Sequence, residues 1–167
     1  MVAEFYKIAQ SIVVALSEKG LSVATAESCT GGGIAAALTA VPGSSACVRG
    51  GIVAYSEDMK VKLLGVSAET LQKEGVVSKQ TVVEMAQGAM KSMNSAFAVA
   101  TSGIAGPSGG TEELPVGTIW VAAASGSCVL THCIRNYDKG REQNTQNAVL
   151  VALEMLQKVV GKEENQP

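Results

Sequence analysis

The chain opens on Val-Ala-Glu-Phe-Tyr-Lys-Ile-Ala-Gln-Ser-Ile-Val-Val-Ala-Leu16, in which apolar residues recur every three or four positions with Glu4, Lys7, Gln10 and Ser11 between them. That spacing predicts an amphipathic first helix, and it lacks the unbroken apolar region and small-residue cleavage pattern of a signal peptide. Residues 21–26 form a short apolar run that predicts a strand. Residues 31–40 predict a helix of small side chains, stopped by Val-Pro-Gly43. A second strand is expected over 50–55, a short helix over 57–64, and a further helix opened by a serine cap at Ser67. Over 78–93, Val82, Val83, Met85, Ala86, Ala89, Met90 and Met93 repeat at helical spacing, which reads as a core-facing stripe.

The second half of the pattern is different. An apolar strand over 96–102 runs into a loop rich in glycine and proline, residues 103–117, and loops this long in compact domains tend to be functional. Two apolar runs, 118–124 and 128–135, flank Ser-Gly-Ser and predict an antiparallel hairpin. A closing helix is expected over 140–160, with a polar tail, 161–167, that frays. Alternating helices and strands plus one hairpin predict an α/β protein. Its form is a single three-layer α/β/α sandwich domain over residues 1–167, with a mixed, mostly parallel sheet and no internal repeat.

Composition sharpens this picture. Of the 167 residues 47% are apolar and 17% charged, and the mean hydropathy is +0.23. That suits a sheet covered on both faces, and it also favours a homo-oligomer with a buried interface. The net charge of −2 comes with no basic cluster, so a nucleic-acid partner is not expected. No apolar run approaches the ~20 residues of a membrane span, and the expected location is the cytoplasm, with Cys29, Cys47, Cys128 and Cys133 reduced. Cys128, His132 and Cys133 match no zinc-ligand spacing, so no metal site is expected.

Candidate chemistry gathers where strands end, since α/β sheets bind ligands at their carboxyl edge. Three stretches leave strands: 27–33, 55–60 and 102–110. The first, Glu-Ser-Cys-Thr-Gly-Gly-Gly33, sets hydroxyls and a thiol before a helix, where backbone N–H groups stabilise negative charge. Ser28 and Thr30 there fit two roles, nucleophile chemistry or ordinary helix capping. The stretch matches neither a Walker A loop nor a dinucleotide fingerprint. The single histidine, His132, lies in the apolar hairpin, so a serine nucleophile needs another base. Tyr55 and Lys60 are the candidates, because a lysine screened from water loses proton affinity and becomes a base near neutral pH.

The order of motifs carries a further reading. Ala-Glu-Ser-Cys-Thr-Gly-Gly32, Pro-Gly-Ser-Ser45, Gly-Gly-Ile-Val-Ala-Tyr-Ser56 with Lys60, Leu-Leu-Gly-Val66, Gly-Val-Val-Ser78 with Val-Glu-Met-Ala86, Ser-Gly-Ile-Ala-Gly-Pro107 and Pro-Val-Gly-Thr118 follow one another across residues 22–156. In this the chain resembles the CinA C-terminal domain family. The resemblance implies hydrolysis of the carboxamide of nicotinamide mononucleotide to nicotinic acid mononucleotide and ammonia, with no metal or cofactor and a small molecule as the only ligand. It also implies that Ser28 is the nucleophile and that Tyr55 and Lys60 activate it. By the same resemblance Thr30, Gly31 and Gly32 supply oxyanion or phosphate contacts. Ser102, Gly103, Gly106 and Arg141 hold the rest of the substrate. Three departures stand out: Ser102 where many members have threonine, no second arginine about a turn after Arg141, and no aromatic residue in Ala-Cys-Val48. A nucleotide- or phosphate-binding module without turnover, and a hydrolase of another linear amide, are the alternatives.

Overall fold

The computed structural model describes residues 2–135 and 137–164. Helix α1 (Val2–Glu18) leads to strand β1 (Val23–Glu27), then α2 (Gly33–Thr39), a 3-10 turn (Ser44–Ala46) and β2 (Val48–Val53). Helices α3 (Glu57–Leu64), α4 (Ala68–Glu74) and α5 (Lys79–Met93) precede β3 (Phe97–Gly103). The hairpin of β4 (Ile119–Ser125) and β5 (Val129–Ile134) and the helix α6 (Arg141–Glu164) follow. Each expected element is present, and the capping reading holds: Ser67 Oγ accepts from the amides of Glu69 and Thr70, and Ser78 Oγ from that of Thr81.

Two boundaries differ from expectation for physical reasons. Helix α2 starts at Gly33 and not Gly31, because Gly31 and Gly32 take φ of 60° and 99° in a left-handed turn that no helix continues. Helix α6 runs to Glu164, through the first part of the segment expected to fray. After Gly161 the chain continues with Lys162, Glu163 and Glu164, all good helix formers. Residues 165–167 lie outside the described residues.

The sheet has the order β2-β1-β3-β4-β5. Strands β2, β1 and β3 are parallel, and β4 alone runs against its neighbours β3 and β5. This is the three-layer α/β/α arrangement that the alternation of elements predicts. Helices α1, α2 and α6 cover one face, and α3, α4 and α5 the other.

Strand alternation makes those faces unequal. Val23, Phe97, Val99, Ile119 and Val121 point toward α1, α2 and α6. Ala24, Ala26, Ala98, Ala100, Ala122 and Ala124 point the other way, where α5 brings Val82, Met85, Ala86 and Ala89. The methionine stripe is therefore core, as its spacing predicts. Small strand residues let α5 lie close, and Gly88 lets α3 cross it closely: a Cβ there would come 1.8 Å from the Leu64 carbonyl oxygen. That crossing draws α3, and Lys60 with it, against the sheet.

Among the described residues no helix is long and apolar enough to cross a membrane. The four cysteines are free thiols. His132 lies exposed on edge strand β5, outside the core that the apolar pattern of the hairpin suggested, because an edge strand buries little of its outer half.

Candidate active site

Because β1, β2 and β3 are parallel, their carboxyl ends share one edge. The chain leaves β1 for β2 on one side and later returns to β3 on the other, so a crevice opens outside β1 and β3. The amide of Ser28 donates to the Thr101 carbonyl across this gap, at 3.1 Å, and fixes the turn that follows β1.

Glu27 organises that turn. Fully buried, its carboxylate accepts from the amides of Gly32 (3.0 Å), Ile34 (3.1 Å) and Ala35 (2.8 Å) and from the hydroxyls of Thr30 (2.6 Å) and Thr25 (3.3 Å). Helix α2 has no acidic residue in its own first turn and no side-chain cap at Gly32. Glu27 thus satisfies the free amides of that helix from the preceding strand.

Ser28 comes next, and Lys60 meets it from α3. Lys60 Nζ lies 3.0 Å from Ser28 Oγ and donates to the Ala54 carbonyl at 2.8 Å. At 1% exposure Lys60 is among the most buried large side chains. Burial pushes its amine below the usual lysine range, while the neighbouring Cys29 and Glu57 pull the other way. Burial pushes the Cys29 thiol up to about 12, so at neutral pH it is protonated and a poor nucleophile. Of the turn's side chains it is the Ser28 hydroxyl that meets the Lys60 amine.

These residues form one wall of a cavity of about 440 Å³. Its rim is different in kind. Arg141, at the start of α6, donates to the Gly106 carbonyl (2.8 Å) and the Tyr55 hydroxyl (2.7 Å). Buried Asn144 donates to the carbonyl of Ala105 (3.0 Å) and the carboxylate of Asp138 (3.1 Å), and its own oxygen accepts from the Lys139 amide (3.0 Å). The loop after β3 is thereby tied to the first turn of α6. Ser102 also lines the cavity, its hydroxyl donating to the Val76 carbonyl at 2.7 Å.

Of the residues singled out by sequence, Ser28, Tyr55, Lys60, Ser102, Gly103, Gly106 and Arg141 line this one cavity. Thr30, Gly31 and Gly32 do not. The Thr30 hydroxyl and the Gly32 amide serve Glu27, and the Gly31 amide donates to the Ser28 carbonyl. Tyr55, expected beside Lys60, is 60% exposed, and its hydroxyl partner is Arg141. Sequence reading passed over Glu27, Glu57 and Asn144. For Glu27 the signal was present: an acid ending a strand just before a helix that lacks acids of its own.

Comparison with known proteins gives the family. The family model described as the CinA C-terminal domain matches residues 5–160. The chain belongs to that family. It is 48% identical over 123 residues to the nicotinamide-nucleotide amidohydrolase PncC of Escherichia coli, covering 74% of each chain. It is 45% identical over 151 residues to the protein of the same name from Shewanella oneidensis, covering 90% of this chain and 36% of that one. A CinA-like protein of Shewanella amazonensis is 45% identical over 154 residues, 92% of this chain and 36% of its own. The chain thus spans about a third of the length of most of these curated relatives. Among solved structures, the competence/damage inducible protein CihA from Agrobacterium tumefaciens superposes with a TM-score of 0.91 at 45% identity, covering 95% of this chain and 96% of that one.

Proposed function

We propose that this chain is an amidohydrolase that converts nicotinamide mononucleotide and water to nicotinic acid mononucleotide and ammonia. The observation that carries the reading is the buried contact between Lys60 Nζ and Ser28 Oγ, 3.0 Å, inside a cavity large enough for a nucleotide. The names of the Escherichia coli and Shewanella oneidensis relatives, nicotinamide-nucleotide amidohydrolases, support the substrate.

Each step uses groups already placed. With Lys60 neutral, one N–H serves the Ala54 carbonyl and the lone pair takes the Ser28 proton as Oγ attacks the carboxamide carbon. The oxyanion needs donors close to Ser28. The Gly31 and Gly32 amides are already engaged, with the Ser28 carbonyl and the Glu27 carboxylate, whereas those of Cys29 and Thr30 follow Ser28 directly in the turn. Those two are the proposed oxyanion donors. The carbon–nitrogen bond then breaks as Lys60 returns its proton to the departing ammonia. Water attacks the acyl-enzyme with Lys60 again as base, and Ser28 regains its proton. Arg141 and the 103–110 loop take the phosphate and ribose, and Tyr55 orients Arg141 at the rim. No step calls for a cofactor. The reaction is assigned to the cytoplasm, in a homo-oligomer for which exposed Val53, Val61 and Leu63 offer apolar surface.

Ammonia release from nicotinamide mononucleotide, with nicotinamide and nicotinamide riboside as controls, tests the reading. Release that requires both the phosphate and Ser28 is expected. Equal release from the phosphate-free amides would make it a general amidase. Binding without any release would make it a nucleotide-binding module.

A further inference from the structure

The cavity carries a carboxylate that forms no bond and moves no proton in the proposed hydrolysis, although Lys60 feels its charge. Glu57 is the one acidic side chain lining it, and among the described residues it accepts no hydrogen bond and forms no ion pair. It opens α3 three residues before Lys60, so both side chains leave that helix on the same face. An amide carbon under attack sits ~3–3.5 Å from the nucleophile, and Ser28 Oγ is itself 3.0 Å from Lys60 Nζ. A ring attached to that carbon would occupy the same cavity that Glu57 lines. Arg141 belongs to α6 and is anchored on Gly106 and Tyr55, so the positive charge of the rim is supplied from a different element.

We propose that Glu57 is a specificity residue: its carboxylate selects substrates whose amide-bearing ring is positively charged, while Arg141 receives the phosphate. The proposal rests on the placement of a nicotinamide nucleotide given above. A neutral aromatic amide gains nothing from this carboxylate, and an anionic ring is repelled by it. Because Glu57 stands on the solvent-exposed rim, its contribution is that of a partly screened pair and not of a buried one.

The test compares nicotinamide mononucleotide with its 1,4-dihydro form, which keeps the carboxamide, ribose and phosphate but has a neutral ring. Dissociation constants are measured by calorimetry on Ser28→Ala protein, alone and combined with Glu57→Gln or Asp58→Asn. Asp58 is the adjacent acid; it accepts from the Ser56 hydroxyl and does not line the cavity, so it controls for a general loss of negative charge. Glu57→Gln is expected to lower the preference for the oxidised nucleotide about fivefold, and Asp58→Asn less than twofold. An unchanged preference in Glu57→Gln, an equal loss in Asp58→Asn, or no binding of either nucleotide overturns the proposal. Ammonia release by the wild-type protein, run in parallel, separates the two claims. Release without charge selectivity overturns only the role of Glu57, whereas selectivity without release upholds Glu57 and overturns the hydrolysis.

Discussion

On the floor of the cavity Ser28 and Lys60 are buried, above a turn that buried Glu27 holds by hydrogen bonds to helix amides. On its rim Tyr55, Glu57 and Arg141 stand in solvent. Both regions grow from the same sheet edge, yet they suit different tasks. Desolvation on the floor lowers the proton affinity of Lys60 and holds its amine against one hydroxyl, which is what a base needs. The rim, wet and screened, cannot shift a lysine in that way, but its charges meet an incoming ion. In the proposed reaction chemistry is the task of the floor and recognition that of the rim, so variants in the two regions are expected to differ in kind as well as size.

The largest effect expected is from Lys60→Met, which lowers kcat by roughly a thousandfold, within the range of general-base losses, and leaves substrate affinity nearly intact. The pH dependence gives this its signature. Lys60 works only when neutral, so wild-type kcat falls as pH drops through the titration of that amine, which burial places below the ordinary lysine range. In Lys60→Met that acidic limb disappears; a limb that survives would assign the base to another group.

Glu27→Gln comes next and is read as stability. Five donors converge on the carboxylate, and glutamine offers one acceptor oxygen while turning an NH2 toward amides that also donate. A loss of about 3 kcal/mol in urea unfolding is expected; an unchanged midpoint would mean that the turn is held elsewhere. On the rim, Arg141→Gln should raise KM about tenfold with kcat within about twofold, the scale of one charged hydrogen bond. A fall in kcat alone would move Arg141 to the floor in function. Tyr55→Phe removes only the hydroxyl that accepts from Arg141, and a change in KM of roughly threefold or less is expected. A hundredfold loss of kcat would place the tyrosine in proton transfer, as the family resemblance implies.

The same division explains what the sequence made legible. Helices and strands follow from apolar spacing, and the stripe of Val82, Met85, Ala86 and Ala89 repeats at helical spacing strictly enough to be readable as core. Ser28 and Lys60 were candidates from the residues, a hydroxyl before a glycine turn and a lysine with no histidine near, and the order of the motifs, through the family resemblance, singled them out. The turn itself was less so. Which amides of the 28–32 stretch are free depends on Glu27, whose carboxylate reaches forward to Ile34 and Ala35, and such a contact has no periodic signature. Tyr55 and Arg141 are 86 residues apart in the chain, and only the return of α6 over the carboxyl edge brings them together.

The most direct measurement is the intact mass of the protein quenched during turnover of nicotinamide mononucleotide. The account predicts an adduct equal to the substrate less ammonia, located on Ser28 by peptide mapping and absent from Ser28→Ala. Turnover with no adduct in protein trapped at successive times, and undiminished in Ser28→Ala, would contradict it.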